Sequence, residues 1–223
     1  MDEILSSVVS AFVAQSIPEV IAVVLGVVYL VLAMRQSNGC WYAAFGSTAI
    51  FSWLFWDVSL LMESALNVYY LVMAVYGWWA WQQGNGSHGS ADESEQELPI
   101  QRWGLKQHLL TLVAIALLTL ISGTLLHGNT TAVMPYLDSF TTWGAVITTW
   151  MVTRKILENW LYWIVIDAVA IFLYIDRELY LTALLMAIYV VLAVAGWFLW
   201  QRDYRAHYAR QTDSLESSDW QQA

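Results

Sequence analysis

The sequence predicts an all-α membrane protein of seven transmembrane helices, in which two three-helix repeats are joined by a linker helix. Of its 223 residues, 59% are hydrophobic and only 12% are charged, whereas soluble domains carry about 25% charged residues. Several stretches run for about 20 residues with little charge, which is the length a helix needs to cross ~30 Å of hydrocarbon. These runs are continuously apolar rather than alternating, which favours a helix bundle over a barrel.

An internal repeat is the most informative feature of the chain. Residues 21–82 align without a gap on residues 140–201, an offset of 119, and 16 of the 62 positions are identical. The identical pairs include Arg35/Arg154, Trp41/Trp160, Asp57/Asp176, Tyr70/Tyr189, Gly77/Gly196, Trp78/Trp197, Trp81/Trp200 and Gln82/Gln201. A repeated block of membrane helices is typical of secondary transporters, which hold their substrate between the halves.

The predicted spans follow from the apolar runs and their flanking residues. They are 17–34, 41–62, 64–82, 105–126, 139–153, 160–175 and 179–200. The first opens with Ser16, Pro18 and Glu19, in the arrangement of a capping box with an early proline. The predicted division is 17–82 for the first repeat, 83–104 for an acidic cytoplasmic loop, 105–126 for the linker helix, 139–202 for the second repeat and 203–223 for a cytoplasmic tail. The acidic loop and the tail are expected to be solvated and disordered.

Basic residues predict the orientation. With the N-terminus outside, eight of the nine lysines and arginines are cytoplasmic and only Arg177 is outside, which is a strong positive-inside signal. The C-terminus is then cytoplasmic. Each repeat has three helices, so the span at 105–126, which has no counterpart in the repeat, makes the two halves parallel and gives a 3+1+3 plan.

Polar side chains in the sixth span predict a binding column. Asn159, Trp163 and Asp167 are spaced i, i+4, i+8 and share one helix face, with Trp160 adjacent. Asp167 lies about 12 Å beyond Asn159 along a helix, near the midplane. An amide, an aromatic ring and a carboxylate at that depth suit a cationic ring compound. The structural alternative is an aspartate hydrogen-bonded to a neighbouring tryptophan or tyrosine.

The third and seventh spans contribute a second group of candidates. Asn67 and Tyr70 bring polar groups into the third span, and Tyr189 is the repeat partner of Tyr70. Asn67 and Tyr70 share a helix face with the small residues Ala74 and Gly77, so the alternative interpretation is that this face only packs against a neighbouring helix.

Several functional classes are not supported. A single cysteine, Cys40, excludes an internal disulfide and a multi-cysteine metal site. The last span has no lysine for a retinal, and a GxxxxGK[ST] loop for ATP is absent. No cofactor, no nucleic-acid partner and no enzymatic activity are expected.

Two aromatic blocks carry a family resemblance. Tyr76-Gly77-Trp78-Trp79-Ala80-Trp81 and Glu158-Asn159-Trp160-Leu161-Tyr162-Trp163 resemble motifs of the PnuC family of bacterial nicotinamide riboside transporters, and the likeness extends over roughly residues 17–202. The resemblance implies a SWEET-like fold, a bacterial inner-membrane location and a homotrimer. It also implies facilitated diffusion of nicotinamide riboside for NAD synthesis. It places Asn159, Trp160 and Trp163 at the substrate, with Asn67 and Tyr70 from the other half.

Two alternatives stay open from the sequence. Relatives with this fold carry other vitamins, notably thiamine, which is also a cationic aromatic compound. A seven-helix sensor or scaffold in a lipid membrane, with its aromatic residues serving only in packing, is the third hypothesis.

Overall fold

The computed structural model describes residues 6, 8–10, 14–57, 61–83, 98–129 and 133–221. Seven long helices lie within these ranges, and they are α1 (Ile17–Met34), α2 (Cys40–Asp57), α3 (Leu61–Gln82), α4 (Leu105–Asn129), α5 (Pro135–Thr153), α6 (Asn159–Asp176) and α7 (Tyr180–Gln221). Four of them contain stretches long and apolar enough to cross a membrane, namely Ile17–Met34, Leu105–Gly128, Asn159–Asp176 and Tyr180–Ala209. The chain is therefore an all-helical membrane protein.

The helix starts follow local sequence signals. The predicted range of the first span coincides with α1, whose cap Ser16 accepts a hydrogen bond from the backbone N–H of Glu19 (3.4 Å). The second span was predicted to reach residue 62, and this is wrong because α2 ends at Asp57 and α3 begins at Leu61. The apolar run continues from Val58 to Met62, so hydrophobicity alone does not mark the end of the helix.

The C-terminal segment differs from the predicted disordered tail. The helix α7 continues to Gln221, across the residues assigned to the tail at 203–223. There is no glycine or proline after Gly196, so nothing in the sequence stops the helix where the apolar stretch ends. The predicted end of the span marks the limit of the apolar stretch and not the end of the helix.

Only the two ends of the predicted acidic loop, residue 83 and residues 98–104, fall within the described residues, because residues 84–97 lie outside them. The segment that follows runs along the turn between α5 and α6. There the backbone N–H of Gln101 donates to the carbonyl of Lys155 (2.9 Å), and the N–H of Leu157 donates to the carbonyl of Gln101 (2.8 Å). This connection fixes the chain before α4 against the second repeat.

The contacts of α1, α2 and α3 correspond to the contacts of α5, α6 and α7. Within the described residues, α2 packs between α1 and α3, and α6 packs between α5 and α7. The two triplets meet through α1 with α7 and through α3 with α5, and α4 packs on α5. If α1, α2 and α3 are matched to α5, α6 and α7, each inter-triplet contact is the counterpart of the other.

The main buried cluster lies at one end of the bundle, where α1 and α5 end and α2 and α6 begin; we call this the tryptophan end. Trp81 and Trp200 lie there with ring centroids 6.2 Å apart. The indole N–H of Trp81 donates to the carbonyl of Val152 (3.2 Å), and that of Trp200 donates to the carbonyl of Ala33 (3.1 Å). Both donors and both acceptors are related by the repeat offset, so the same bond joins the two triplets twice.

Candidate functional site

Asn159 occupies the first turn of α6 and is completely buried. Its side-chain amide N–H donates to the carbonyl of Ile156 (2.6 Å), while its Oδ1 has no hydrogen-bond partner among the described residues. Buried polar atoms are nearly always hydrogen-bonded in native proteins. The free acceptor of Asn159 is therefore a candidate contact for a ligand or an ordered water.

Trp160 and Trp163 follow on the same helix. Trp160 is 1% exposed and meets the ring of Trp200 edge-on, with centroids 5.4 Å apart. Its indole nitrogen also lacks a partner in the described part of the chain. Trp163 is half-buried and packs against the buried cluster. Two neighbouring positions of α6 thus hold an unused acceptor and an unused donor.

Asp167 lies two turns further along α6, 6% exposed. Within the residues that the structure describes, its carboxylate forms no hydrogen bond or ion pair, so the structural alternative of a bond to a neighbouring tryptophan or tyrosine is not observed there. The hydroxyls of Tyr70, Tyr174 and Tyr189 lie within electrostatic range of it. A buried carboxylate without a counter-charge is costly, which favours a cation as its ligand.

Tyrosines from both triplets lie within electrostatic range of this carboxylate. Tyr70 comes from α3 and Tyr189 from α7, and Tyr29 of α1 lies within electrostatic range of both. The hydroxyl of Tyr189 approaches α1 so closely that a Cβ on Gly26 would lie 2.8 Å from it. Tyr70, Tyr189 and Asp167, which the sequence selected, are therefore brought together between the triplets.

Asn67 has a different environment. It is half-buried, and its side-chain N–H donates to the carbonyl of Glu63 (2.9 Å), one turn earlier in α3. This hydrogen bond stays within its own helix, so the amide is oriented along α3. Like the amide of Asn159, which bonds to Ile156, this amide has a hydrogen bond that does not link it to the other predicted site residues.

Two polar residues in the apolar helices were not selected from the sequence. Tyr29 in α1 and Thr148 in α5 are related by the repeat offset, and the hydroxyl of the fully buried Thr148 has no partner in the described ranges. Because Tyr and Thr differ, this pair is not among the identical positions of the repeat. A search for hydroxyl groups in the middle of each apolar span would have found both.

Two cavities formed by the described residues lie away from this cluster. One, of about 190 Å³, lies between α2 and α3 and is lined by Trp41, Tyr42, Phe45, Ala74, Val75 and Trp78. The other, of about 350 Å³, is lined by residues of α3, the segment before α4 and the end of α5, including Trp79, Leu98 and Arg154. Neither is lined by a predicted site residue.

Comparison with known proteins agrees with this architecture. Residues 16–202 match the family described as nicotinamide mononucleotide transporter. The chain is 23% identical over 212 residues to the nicotinamide riboside transporter PnuC of Escherichia coli (strain K12), covering 86% of this chain and 88% of that one, and it matches the same transporter of Shigella flexneri equally. A crystal structure of the vitamin B3 transporter PnuC superimposes with a TM-score of 0.70 at 20% identity, over 92% of this chain and 91% of the other.

The family is one of transporters rather than enzymes or sensors, so the sensor and scaffold alternative is not retained. The fold match covers 92% of this chain, and the family match at residues 16–202 includes the helices that carry the Asp167 cluster. Because the family match spans most of the sequence, the chain belongs to the nicotinamide mononucleotide transporter family.

Proposed function

We propose that this protein imports nicotinamide riboside for NAD synthesis by facilitated diffusion, with the substrate bound between the two triplets. The observation that supports this most strongly is Asp167, a buried carboxylate with tyrosine hydroxyls around it and no partner of opposite charge in the described structure. Nicotinamide riboside carries a cationic pyridinium ring, which such a carboxylate and aromatic rings attract. Asn159, Trp160, Trp163, Asn67, Tyr70 and Tyr189 complete the proposed site.

The same charge argument favours the riboside over the mononucleotide. A phosphate group would bring two negative charges beside Asp167, and like charges in a low-dielectric site repel strongly. The basic residues lie at helix ends, in the connections and in α7 from Arg202 onward, with Lys155 directly after α5. From these positions, no basic side chain would pair with a phosphate bound at the level of Asp167.

Thiamine is a second candidate substrate. It is also a cationic aromatic ring compound, so Asp167 and its tyrosines suit it for the same electrostatic reason. Its ring substituents differ in size and hydrogen bonding from a carboxamide and a ribose. Direct comparison of the two ligands separates these proposals.

We propose the 3+1+3 arrangement with parallel triplets, the SWEET-like plan. The reciprocal contacts of α1 with α7 and of α3 with α5 support it, and α4 is the helix outside the two triplets. The distribution of lysine and arginine supports an outside N-terminus and a cytoplasmic C-terminus in the bacterial inner membrane. Access would then alternate as one triplet rocks against the other.

We also propose a homotrimer embedded in lipid. The helix α4 supports this, because it packs on α5 and exposes a broad apolar surface. The large exposed residues on it include Leu105, Leu109, Leu110, Leu112, Val113, Leu117, Leu120, Ile121 and Leu125. In a membrane this surface is covered by acyl chains or by a neighbouring subunit.

Uptake into proteoliposomes tests the proposal. With the membrane potential held at zero, radiolabelled nicotinamide riboside should enter until the inner and outer concentrations are equal, and collapsing proton and sodium gradients should leave the rate unchanged. Accumulation above the outer concentration that disappears with an ion gradient would contradict facilitated diffusion.

A further inference from the structure

Two repeat-related residues meet at the tryptophan end. Gln36 follows α1 and Lys155 follows α5, and both have left-handed backbone conformations, with φ of 56° and 48°. The Lys155 side chain is 1% exposed, and its Nζ donates to Oε1 of Gln36 (3.4 Å). Since the two residues are equivalent positions in the repeat, this contact lies where the two triplets face each other.

Two further contacts extend the pair into a cluster. The Lys155 ammonium lies over the ring of Trp81, 4.6 Å from its centroid. The amide N–H of Gln36 donates to Oδ2 of Asp203 (2.9 Å). Trp81 lies near the end of α3 and Asp203 within α7, so the four side chains join the ends of α1, α3 and α5 to α7. We name these four residues the Lys155 latch.

Burial of the ammonium makes this contact reversible. Removing a cation from water is costly, and contacts that include the Gln36 carbonyl and the Trp81 ring offset this cost in the closed arrangement. When the triplets separate, water hydrates the ammonium again and offsets the lost contacts. An apolar residue at the same position would gain no favourable hydration when the triplets separate, so it would hold the two triplets together.

We propose that the Lys155 latch closes the tryptophan end of the substrate path and is broken each time that end opens. This inference rests on the proposed transport function, because it assumes alternating access. By the orientation given above, the latch is the cytoplasmic gate. Its polar composition sets how readily the gate opens, so its residues influence the transport rate without contacting the substrate.

The protein carries its own reporter for this gate. Cys40 is the single cysteine of the chain. It is the first residue of α2, is completely buried and lies within electrostatic range of Lys155. Reaction of its thiol with a maleimide in detergent-purified, full-length protein therefore measures how often the tryptophan end opens to solvent.

A pairwise substitution cycle tests the proposal. Gln36→Met keeps side-chain length and removes one acceptor of the buried ammonium, the one that joins it to α1, so Cys40 labelling should accelerate roughly tenfold. Adding Lys155→Met removes that ammonium as well, and labelling of the double variant should return to the parent rate or below it. Arg154→Met, a change at the exposed neighbouring position, should label at the parent rate.

Either of two results would overturn the proposal. One is parent-like labelling of Gln36→Met, and the other is a double variant that labels as fast as Gln36→Met alone. If Gln36→Met is too unstable to purify, Gln36→Asn, which shortens the reach of the amide, has to accelerate labelling for the proposal to stand. The melting temperature of each sample separates gate opening from unfolding.

Binding of nicotinamide riboside to the same samples separates this inference from the proposed function. The Cys40 readout needs no substrate, so the labelling pattern tests the latch even if the ligand does not bind. If the parent protein fails to bind nicotinamide riboside but shows the predicted labelling pattern, nicotinamide riboside is not its substrate, and the gate proposal still holds.

Discussion

Gly77 and Trp41 lie in direct contact between α3 and α2, because a side chain at position 77 would overlap the indole ring of Trp41. The repeat reproduces this relationship in the second triplet, where a Cβ on Gly196 would lie 2.7 Å from the ring of Trp160. Each of these tryptophans also packs edge-on against the tryptophan four residues after its glycine, Trp81 or Trp200. The two glycines thus set the distance between helices at equivalent places in both triplets.

Adding one methyl group at either glycine is expected to destabilise the protein. Gly77→Ala and Gly196→Ala should each cost about 1–3 kcal/mol, because the rings of Trp41 and Trp160 are buried and cannot move without repacking. Thermal unfolding in detergent measures the effect. Gly128→Ala is the matched control, since a Cβ there meets nothing within 4 Å. Equal melting temperatures for all three variants would contradict this packing.

Loss of either inter-triplet indole bond should have the same effect. Trp81→Phe and Trp200→Phe remove the indole donors to Val152 and Ala33, while each carbonyl keeps its backbone donor from Lys155 or Gln36. Each variant should lower stability by about 1 kcal/mol, because one buried hydrogen bond between the triplets is lost. Trp56→Phe, at a site that is 68% exposed, serves as the control. A large effect at one position and none at its repeat partner would contradict the equivalence of the two contacts.

Asp167→Asn tests the electrostatic basis of binding. The amide keeps the shape of the carboxylate and removes its charge, so affinity for nicotinamide riboside should fall at least about tenfold. Titration calorimetry gives the affinity, and a neutral dihydropyridine analogue should lose much less. The control is Asp176→Asn, which changes an exposed carboxylate at the far end of α6. An unchanged affinity for the cation would remove Asp167 from the site.

Glu158 joins the segment before α4 to the start of α6. It accepts hydrogen bonds from Arg102 Nε (3.0 Å) and from the backbone N–H of Trp103 (3.2 Å), and its side chain is 7% exposed. Glu158→Gln should lower stability by about 1–3 kcal/mol, since two donors lose a charged acceptor. Arg202→Gln, which breaks an exposed ion pair with Asp203, should cost less than about 1 kcal/mol. Equal losses for the two variants would argue against a structural role for Glu158.

Much of the fold could be predicted because membrane helices leave clear marks in a sequence. The cap at Ser16 and the apolar run after it locate α1, and the repeat pairs the glycines and tryptophans that turn out to share contacts. The start of α3 at Leu61 and the continuation of α7 to Gln221 were not predicted. In both places apolar content and helical structure end at different residues, so the apolar pattern misplaces the boundary.

The candidate site was predictable where helical spacing alone decides the position. The interval from Asn159 to Asp167 places both on α6, and both are buried. Spacing cannot fix the orientation of a side chain, and Asn67 bonds within its own helix. Nor could spacing find Lys155, which follows α5 and is buried only because the two triplets meet there. Contacts between triplets depend on tertiary packing, which no local pattern encodes.

The central claim is that the protein binds nicotinamide riboside as a cation at Asp167. Calorimetry on the detergent-purified protein with nicotinamide riboside, thiamine and nicotinamide mononucleotide tests it most directly. We expect saturable binding of the riboside and no measurable binding of the mononucleotide, whose phosphate would face the carboxylate. Binding of thiamine in place of the riboside would keep the site and replace the substrate. Binding of the mononucleotide as tightly as the riboside, or of none of the three by well-folded protein, would contradict the account.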